Sequence, residues 1–251
     1  MSKAVKFTVL SLLSLVLVAY VAYAMLFLSQ PDEDERCSAV ELIVKKGDET
    51  SLFVDEKDIE QMLKNANVYP KGMLMKDVDT EKIEEIIRKN EFIAQVECYK
   101  SSNGKLCVNV EQRIPVIFVI PEGQDGYFVD AKGNIIPNHN TATNLVVASG
   151  AIDKKYASKV LSEFGQFLQT DDFWNNQIEQ VYVRKDRKGK QVVELVPRVG
   201  DQIVYLGPLD DYQKKLSKLK TFYEKAVGTV GWRKYAKVNL EYDNQIICTK
   251  R

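Results

Sequence analysis

Two serine–lysine pairs are the first residues in this sequence whose types and spacing could do chemistry. Ser102 with Lys105, and Ser217 with Lys220, show the S-x-x-K spacing that places a lysine amine beside a serine nucleophile in penicillin-binding enzymes. Those enzymes also carry S-D-N and K-T-G motifs, and neither occurs in this chain. Ser102 falls in a predicted hairpin turn and Ser217 on the solvent face of a predicted helix. Both pairs are therefore interpreted as coincidences of spacing.

Other catalytic and metal-binding patterns are missing from the sequence. The single histidine, His139, lies in a polar loop and excludes any zinc motif that needs two histidines. No C-x-x-C, G-x-S-x-G, G-x-G-x-x-G or P-loop pattern is present. The acidic pairs Asp171-Asp172 and Asp210-Asp211 are interpreted as helix or loop starts. We expect no catalytic residue, no metal, no cofactor and no small-molecule substrate, and we predict that the protein is not an enzyme.

The cysteines Cys98 and Cys107 flank a predicted turn and are candidates for a disulfide. Pairing the apolar faces of the two strands around a three-residue loop, Ser102-Asn103-Gly104, turns Cys107 away from Cys98. We therefore predict no disulfide between them, while a link that involves Cys37 or Cys248 stays open.

The charge balance excludes one class of partner. The 251 residues hold 35 basic and 35 acidic side chains, so the formal net charge is zero. A protein that holds nucleic acid by neutralising phosphates needs an excess of basic residues. We therefore expect no nucleic acid partner.

The N-terminal segment is the most apolar part of the chain. Residues 7–28 carry no charge, and a helix of that length covers about 33 Å, enough to span a bilayer core. A cleaved signal peptide is the alternative, because residues 22–24 fit a cleavage pattern, but the apolar run continues past them. Basic residues precede the segment and acidic residues follow it. The sequence thus predicts a cytoplasmic tail (1–6), a transmembrane helix (7–28) and an acidic linker (29–36).

The outer part of the chain begins with a small α+β unit, predicted over residues 37–113. A strand over 39–45 is followed by a helix with Asp55 as its N-cap, and by a second helix that Asp79 or Thr80 caps. Two strands follow, over 92–100 and from residue 105 to residue 120. This order predicts two helices on one face of a three-stranded sheet.

The second unit, predicted over residues 114–251, is mostly antiparallel β with two helices. A hairpin over 127–136 and a short strand near 145 precede a helix over 154–168. A three-stranded meander over 178–206, a lysine-rich amphipathic helix over 209–225 and a final strand over 237–248 complete it. The fold class is therefore α+β.

Several motifs, in this order and spacing, resemble the FtsQ/DivIB family of bacterial cell-division proteins. Residues 110–116, VEQRIPV, are similar to the family's junction between its POTRA and β domains. Residues 127–130, YFVD, followed by Gly133 and IIP, are similar to its first β-domain hairpin, and residues 238–243, VNLEYD, to its last strand. The ending and Cys37 are most similar to members from the Bacteroidota. The short cytoplasmic tail departs from better-known members.

The resemblance implies a function, a place in the cell and a binding site. It implies a single-pass type II protein of the inner membrane, with its C-terminal part in the periplasm, at the division septum. There it would hold FtsB/DivIC-like and FtsL-like subunits and help control septal peptidoglycan synthesis, while the POTRA domain meets other division subunits. The implied partner-binding residues lie on the last strand and the helix before it: Tyr223, Trp232, Leu240, Tyr242, Asn244 and Ile246.

Two other functions stay open at this point. A single POTRA unit is also compatible with a polypeptide-binding factor in envelope protein assembly. A membrane-anchored envelope enzyme is a weaker alternative, because no nucleophile with a base is found.

Overall fold

The structure is a computed structural model that describes residues 3–24, 35–45, 53–138, 144–227, 231 and 234–251. Its first element is helix α1 (Lys3–Tyr23), whose apolar side chains, such as Phe7 and Leu12, are exposed. Within the described ranges, no helix has both the length and the apolar character needed to cross a membrane. The span predicted over residues 7–28 is therefore not confirmed. Three predictions fall outside these ranges: most of the acidic linker, the loop position of His139, and Trp232.

The first unit has the predicted βααββ order. Its elements are β1 (Ala39–Lys45), α2 (Glu56–Asn65), α3 (Thr80–Arg88), β2 (Ile93–Lys100) and β3 (Lys105–Gln112). Strand β3 lies between the other two, parallel to β1 and antiparallel to β2. The helices bury their apolar stripes against one face of this sheet.

Both predicted helix starts are confirmed. The Asp55 side chain accepts from the backbone N–H of Asp58, and the Asp58 side chain accepts in return from Asp55, which makes a capping box. Asp79, the first of the two candidates, accepts from the N–H of Lys82. Each carboxylate satisfies a backbone donor that the helix leaves without a partner and lies at the positive end of the helix dipole.

The register of β2 and β3 agrees with the three-residue loop. Gly104 has φ of +70°, a conformation that glycine adopts without strain. Cys98 lies opposite Val108, and Cys107 lies opposite Tyr99. The two thiols therefore point to different faces, as predicted, and the cysteines are free in the structure. Ala94 is exposed because a bulge shifts the register between Ile93 and Gln95.

The predicted long strand from residue 105 to residue 120 is two strands. Strand β3 ends at Gln112 in the first sheet, and β4 (Pro115–Pro121) begins in the second. Only Arg113 and Ile114 connect them. Apolar residues continue through the break because both strands are largely buried, although they pack into different cores.

The second unit is built on a nine-stranded sheet. In the order β12-β11-β10-β9-β8-β7-β4-β5-β6, five neighbouring pairs are antiparallel and three are parallel. The prediction of a mostly antiparallel sheet is confirmed. The remaining strands are β5 (Tyr127–Asp130), β6 (Ile135–Pro137), β7 (Val147–Gly150), β8 (Ile178–Lys185), β9 (Gln191–Pro197), β10 (Ile203–Gly207), β11 (Tyr235–Asn239) and β12 (Ile247–Lys250).

Helices pack on one face of this sheet. The predicted helix over 154–168 is α4 (Lys154–Tyr156), a π-helical turn and α5 (Ser162–Thr170). Gly165 of α5 lies so close to β4 that an added Cβ would be 2.8 Å from the Cβ of Ile117. A short helix that was not predicted, α6 (Asp172–Gln177), buries Trp174. The predicted helix over 209–225 is α7 (Tyr212–Phe222), extended by a π-helical turn over Tyr223–Val227.

The predicted final strand over 237–248 is wrong in its middle. It consists of two strands, β11 and β12, which pair antiparallel. The chain reverses between them, in the segment that holds Tyr242, Asn244 and Ile246. The turn is formed at Asp243-Asn244, residue types that favour turns, and the strand prediction missed this signal.

The two units meet at a packed junction. Phe53, from the first unit, stacks on Phe92 with 5.3 Å between ring centroids and also contacts Phe128 of β5 at 5.8 Å. Phe128 in turn packs on Phe118 at 4.6 Å. Phe128 and Ile136 thus belong to the core of the first unit although they lie on the second sheet.

Polar groups at this junction are paired. The Arg113 guanidinium donates to Asp130 Oδ2 at 3.2 Å and to the carbonyl of Glu91 at 3.0 Å. Asp130 is 5% exposed and also accepts from the backbone N–H groups of Lys132 and Asn134. A buried ion pair with its remaining hydrogen-bonding capacity filled fixes the geometry of the groups that it joins.

Candidate partner-binding surface

The last strand of the chain lies at one edge of the large sheet. Strand β12 is the last strand in the sheet order, and among the described residues no further strand pairs with its outer side. The backbone N–H and C=O groups on that side are therefore available to a partner strand.

Helix α7 positions the chain next to this edge. Its apolar residues Leu216 and Leu219 are buried in the core, which fixes the opposite, lysine-rich face toward solvent. From that face the Lys218 ammonium donates to the carbonyl oxygens of Leu240 and Tyr242. The reversal between β11 and β12 is thereby attached to the helix.

An ion pair adds a second attachment. Lys214 Nζ lies 3.1 Å from Asp243 Oδ1. The hydrogen bond from Lys214, followed by its charge, lowers the pKa of Asp243 below its usual value. The carboxylate is therefore ionised at neutral pH and is already occupied by a cation of this chain.

A groove of about 470 Å³ separates α7 from the reversal. We call it the α7 groove; residues that line it include Lys218, Thr221, Phe222, Lys225, Asn244 and Ile246. Phe222 and Ile246 supply apolar surface, and the lysines supply positive charge. The lining includes Ile246, the residue that directly precedes β12, so one bound segment could contact both.

Two of the six partner-binding residues that the resemblance implied are buried. Leu240 is fully buried and Tyr223 is only 7% exposed, so both belong to the core. Burial raises the pKa of the Tyr223 phenol, whose oxygen lies 3.5 Å from Gln202 Nε2. These two side chains support the surface from beneath and offer little area to a partner.

Three of the six lie where a partner could contact them. Tyr242 is 47% exposed at the reversal, Asn244 is exposed, and Ile246 is half-buried at the groove. Trp232 lies outside the described residues. The sequence reasoning missed Lys218, Lys225 and the exposed Ile247, although the lysine-rich face of the helix was visible in the sequence.

The serine–lysine pairs show no catalytic arrangement. Ser102 lies in the exposed β2–β3 turn, and Ser217 lies on the exposed face of α7. The ammonium of Lys220 sits over the ring of Phe173, 4.6 Å from its centroid. The pair Asp171-Asp172 does begin a helix, because Asp171 caps α6 through the backbone N–H groups of Phe173 and Trp174. Within the described residues, no group of three or more metal-ligating side chains is found.

Comparison with known protein families covers both units. Residues 114–249, more than half of the chain, match the model described as FtsQ/DivIB, C-terminal related. This chain belongs to the FtsQ/DivIB family. Residues 35–111 match the POTRA-like domain, as the motif resemblance implied. No curated protein sequence matches the chain.

Membership of the FtsQ/DivIB family indicates a cell-division protein with a POTRA-like domain. Both matched domain families are non-catalytic. In this FtsQ/DivIB protein the surface formed by α7, the reversal and β12 belongs to the region that the first model matches.

Proposed function

We propose that this protein is a non-enzymatic assembly subunit of the bacterial division machinery. It holds FtsB/DivIC-like and FtsL-like subunits through its C-terminal surface and thereby helps to control septal peptidoglycan synthesis. The observation that carries the proposal is the open edge of β12 beside the α7 groove, in a chain of the FtsQ/DivIB family.

Strand addition explains how this surface would work. A partner strand that pairs with β12 gains main-chain hydrogen bonds along the edge, and its alternate side chains contact the groove. Tyr242, Asn244 and Ile246 stand beside the edge and select among partner sequences. Because Lys218 attaches the reversal to α7, the surface is formed before binding, which reduces the entropy cost of association.

The remaining parts of the chain deliver this surface to the septum. Residues 7–28 form a single-pass, type II anchor in the inner membrane, as their length and lack of charge favour. The POTRA-like and β units then lie in the periplasm. The POTRA-like unit meets other division subunits.

The test is the substitution Tyr242→Lys in the full chain, co-expressed with the FtsB-like subunit of the same bacterium. An added charge at the reversal should abolish co-purification while leaving thermal unfolding unchanged. Tyr182→Lys is the matched control, because Tyr182 is 42% exposed on β8, away from the edge. Unchanged co-purification of Tyr242→Lys, or equal loss with Tyr182→Lys, would contradict the proposed site.

Depletion separates this function from envelope protein assembly. A division subunit should leave filamentous cells without septa when it is depleted. Normal division together with outer-membrane defects would instead support a polypeptide-binding factor. A variant without residues 7–28 should fractionate away from the membrane and fail to restore septation.

A further inference from the structure

The hairpin that joins β8 and β9 carries a dense group of positive charges. Its residues 184–190, RKDRKGK, hold five basic side chains and one acidic side chain. Two of the five are paired within the chain, because Arg184 lies 3.5 Å from Glu194 and Lys190 lies 3.0 Å from Asp210. Among the described residues, the other three form no ion pair. We call these three the hairpin cations: Lys185, Arg187 and Lys188.

The one carboxylate of the hairpin binds the backbone of the turn. Asp186 Oδ1 accepts from the backbone N–H groups of Lys188 and Lys190, at 2.8 Å each. The Asp186 N–H donates to the carbonyl of Lys190 at 2.9 Å, and Gly189 has φ of +78°. These bonds fix the turn, and all three hairpin cations are exposed on it. Like charges held this close repel one another, and an anion from outside the chain relieves the repulsion.

The hairpin lies at the end of the large sheet opposite to the connection with the POTRA-like unit. Only Arg113 and Ile114 connect β3 to β4, so β4 starts at that unit. Strand β7 is parallel to β4, and β8 is parallel to β7. Pro121, the last residue of β4, is level with Val183, so residues 184–190 lie beyond the end of β4. Strands β10 and β11 separate β9 from β12, so the hairpin is distinct from the proposed partner-binding surface.

This placement favours a protein partner over lipid or nucleic acid. The anchor proposed for residues 7–28 precedes the POTRA-like unit, so lipid headgroups adjoin the other end of the chain. The proposed function places the hairpin in the periplasm, where nucleic acid is absent. The carboxylates of acidic side chains match lysine ammonium groups, and they bind an arginine guanidinium through two parallel hydrogen bonds.

We propose that the β8–β9 hairpin is a second docking site, which binds an acidic segment of a partner protein through the hairpin cations. This inference goes beyond the proposed function and uses only its topology. Because the hairpin and the β12 edge are separate, a protein bound at one leaves the other free.

A binding measurement with an acidic peptide tests the charge of the site. The full chain is reconstituted in phosphatidylcholine nanodiscs, and the probe is a fluorescein-labelled peptide of alternating glutamate and serine. Lys185→Gln with Arg187→Gln and Lys188→Gln should weaken binding by roughly ten-fold, because three exposed charge pairs are lost. The wild-type affinity should fall between about 50 and 300 mM NaCl, and the variant should lose most of this dependence. Thermal unfolding should stay unchanged, since all three side chains are exposed.

A matched variant controls for total charge. Lys57→Gln with Lys76→Gln and Lys82→Gln removes the same number of charges from exposed lysines of the POTRA-like unit, and should bind the peptide as the wild type does. A peptide of alternating glutamine and serine should not bind. Equal loss in this control variant would overturn the proposal, because the peptide would then respond only to the total charge.

Lipid is tested as the competing anion. When about one third of the nanodisc lipid is phosphatidylglycerol, peptide affinity should stay the same if the hairpin faces away from the bilayer. Loss of peptide binding in these nanodiscs, restored by salt, would overturn the proposal in favour of a membrane contact.

Photo-crosslinking in dividing cells tests the partner. With p-benzoylphenylalanine in place of Lys188, the adduct should be a protein, crosslinked through a segment of net negative charge. The same residue in place of Lys82 should not form this adduct. A lipid adduct, a protein crosslinked through a neutral or basic segment, or no adduct at all would contradict the proposal.

The outcomes for the two surfaces are distinguishable. The variant that lacks the hairpin cations should still co-purify with the FtsB-like subunit, whereas Tyr242→Lys should lose that subunit and keep peptide binding. If the wild type captures no FtsB-like subunit, the proposed function fails, and the peptide and crosslinking results still decide the hairpin site. Loss of the FtsB-like subunit in the hairpin variant would show that the hairpin is not a separate site.

Discussion

The two ends of the nine-stranded sheet differ in how their side chains are packed. At the β6 end, Phe128 and Ile136 pack into the core of the POTRA-like unit, and Arg113 pairs with the buried Asp130. At the β12 end, no strand among the described residues pairs with the outer side of the last strand. We call the β6 end closed because its side chains pack into the first unit, although among the described residues β6, like β12, has no strand on its outer side. We infer that the closed end fixes the position of the sheet while the open end binds.

The largest loss of stability should follow from creating a cavity at the closed end. Phe128→Ala removes a ring that is 2% exposed and that touches Phe53 and Phe118. The cavity should lower the free energy of unfolding by about 3 to 5 kcal/mol, measured in urea. Ile114→Ala, at the exposed connection of the two sheets, should change it by less than about 0.5 kcal/mol. Similar small values for both would show that the junction is not packed in solution.

The ion pair at the junction should have the next largest effect. Asp130→Ala leaves Arg113 and two backbone N–H groups without their acceptor. We expect a loss of about 3 kcal/mol in the free energy of unfolding, because a partly buried charge is left unpaired. Glu111→Ala breaks the exposed pair with Lys45 and should have no measurable effect. An equal loss in both variants would contradict the difference in burial.

Thiol reactivity offers a smaller contrast between the units. Burial raises the pKa of Cys98, in the POTRA-like sheet, to about 12, whereas Cys248 on β12 has a less buried thiol whose pKa burial also raises. Iodoacetamide at pH 8 should therefore alkylate Cys248 before Cys98, as peptide mass mapping would show. Alkylation of Cys98 first would contradict this order.

The same pKa shift predicts a loss of stability at high pH. The folded protein holds the Cys98 proton more tightly than the unfolded chain, whose thiol titrates near 9.0. The contribution to stability is complete below pH 9 and disappears as pH rises toward 12. Cys98→Val should reduce the slope of unfolding free energy against pH in this range, measured by urea titration. An unchanged slope would show that the thiol does not titrate differently on folding.

The smallest effect is expected at the open end. Asp243→Asn removes the exposed ion pair with Lys214 and should leave the unfolding midpoint at neutral pH unchanged within error. Because the pKa of Asp243 is lowered in the fold, any contribution is present above its usual value of 3.8 and is lost as pH falls through the folded value. A large shift of the midpoint would mean that the reversal is coupled to the core.

Local signals in the sequence predicted much of the POTRA-like unit. The carboxylates of Asp55 and Asp79 identified two helix starts because capping depends on residues only three positions apart. Gly104 identified the turn that sets the register of β2 and β3. The order of elements followed from such signals, together with the periodicity of apolar residues.

Features that depend on long-range packing were not predictable in this way. The placement of β7 between β4 and β8 joins strands that local patterns do not connect. The reversal near Tyr242 has Asp243-Asn244 as its only local turn signal, and it is attached to the fold by Lys218 from a separate helix. The alternation of apolar residues that predicted a single final strand includes Leu240, which is buried, and Tyr242, which is exposed.

Hydrogen exchange of the β12 amides tests the central claim most directly. The full chain is compared with and without its FtsB-like partner, and exchange is followed over residues 247–250 and, as an internal control, over β5. A bound strand should slow exchange on β12 and leave the β5 amides unchanged, because β5 already pairs with β4 and β6 on its two sides. Unchanged exchange on β12 in the complex, or new protection confined to the β4–β6 end, would contradict the account.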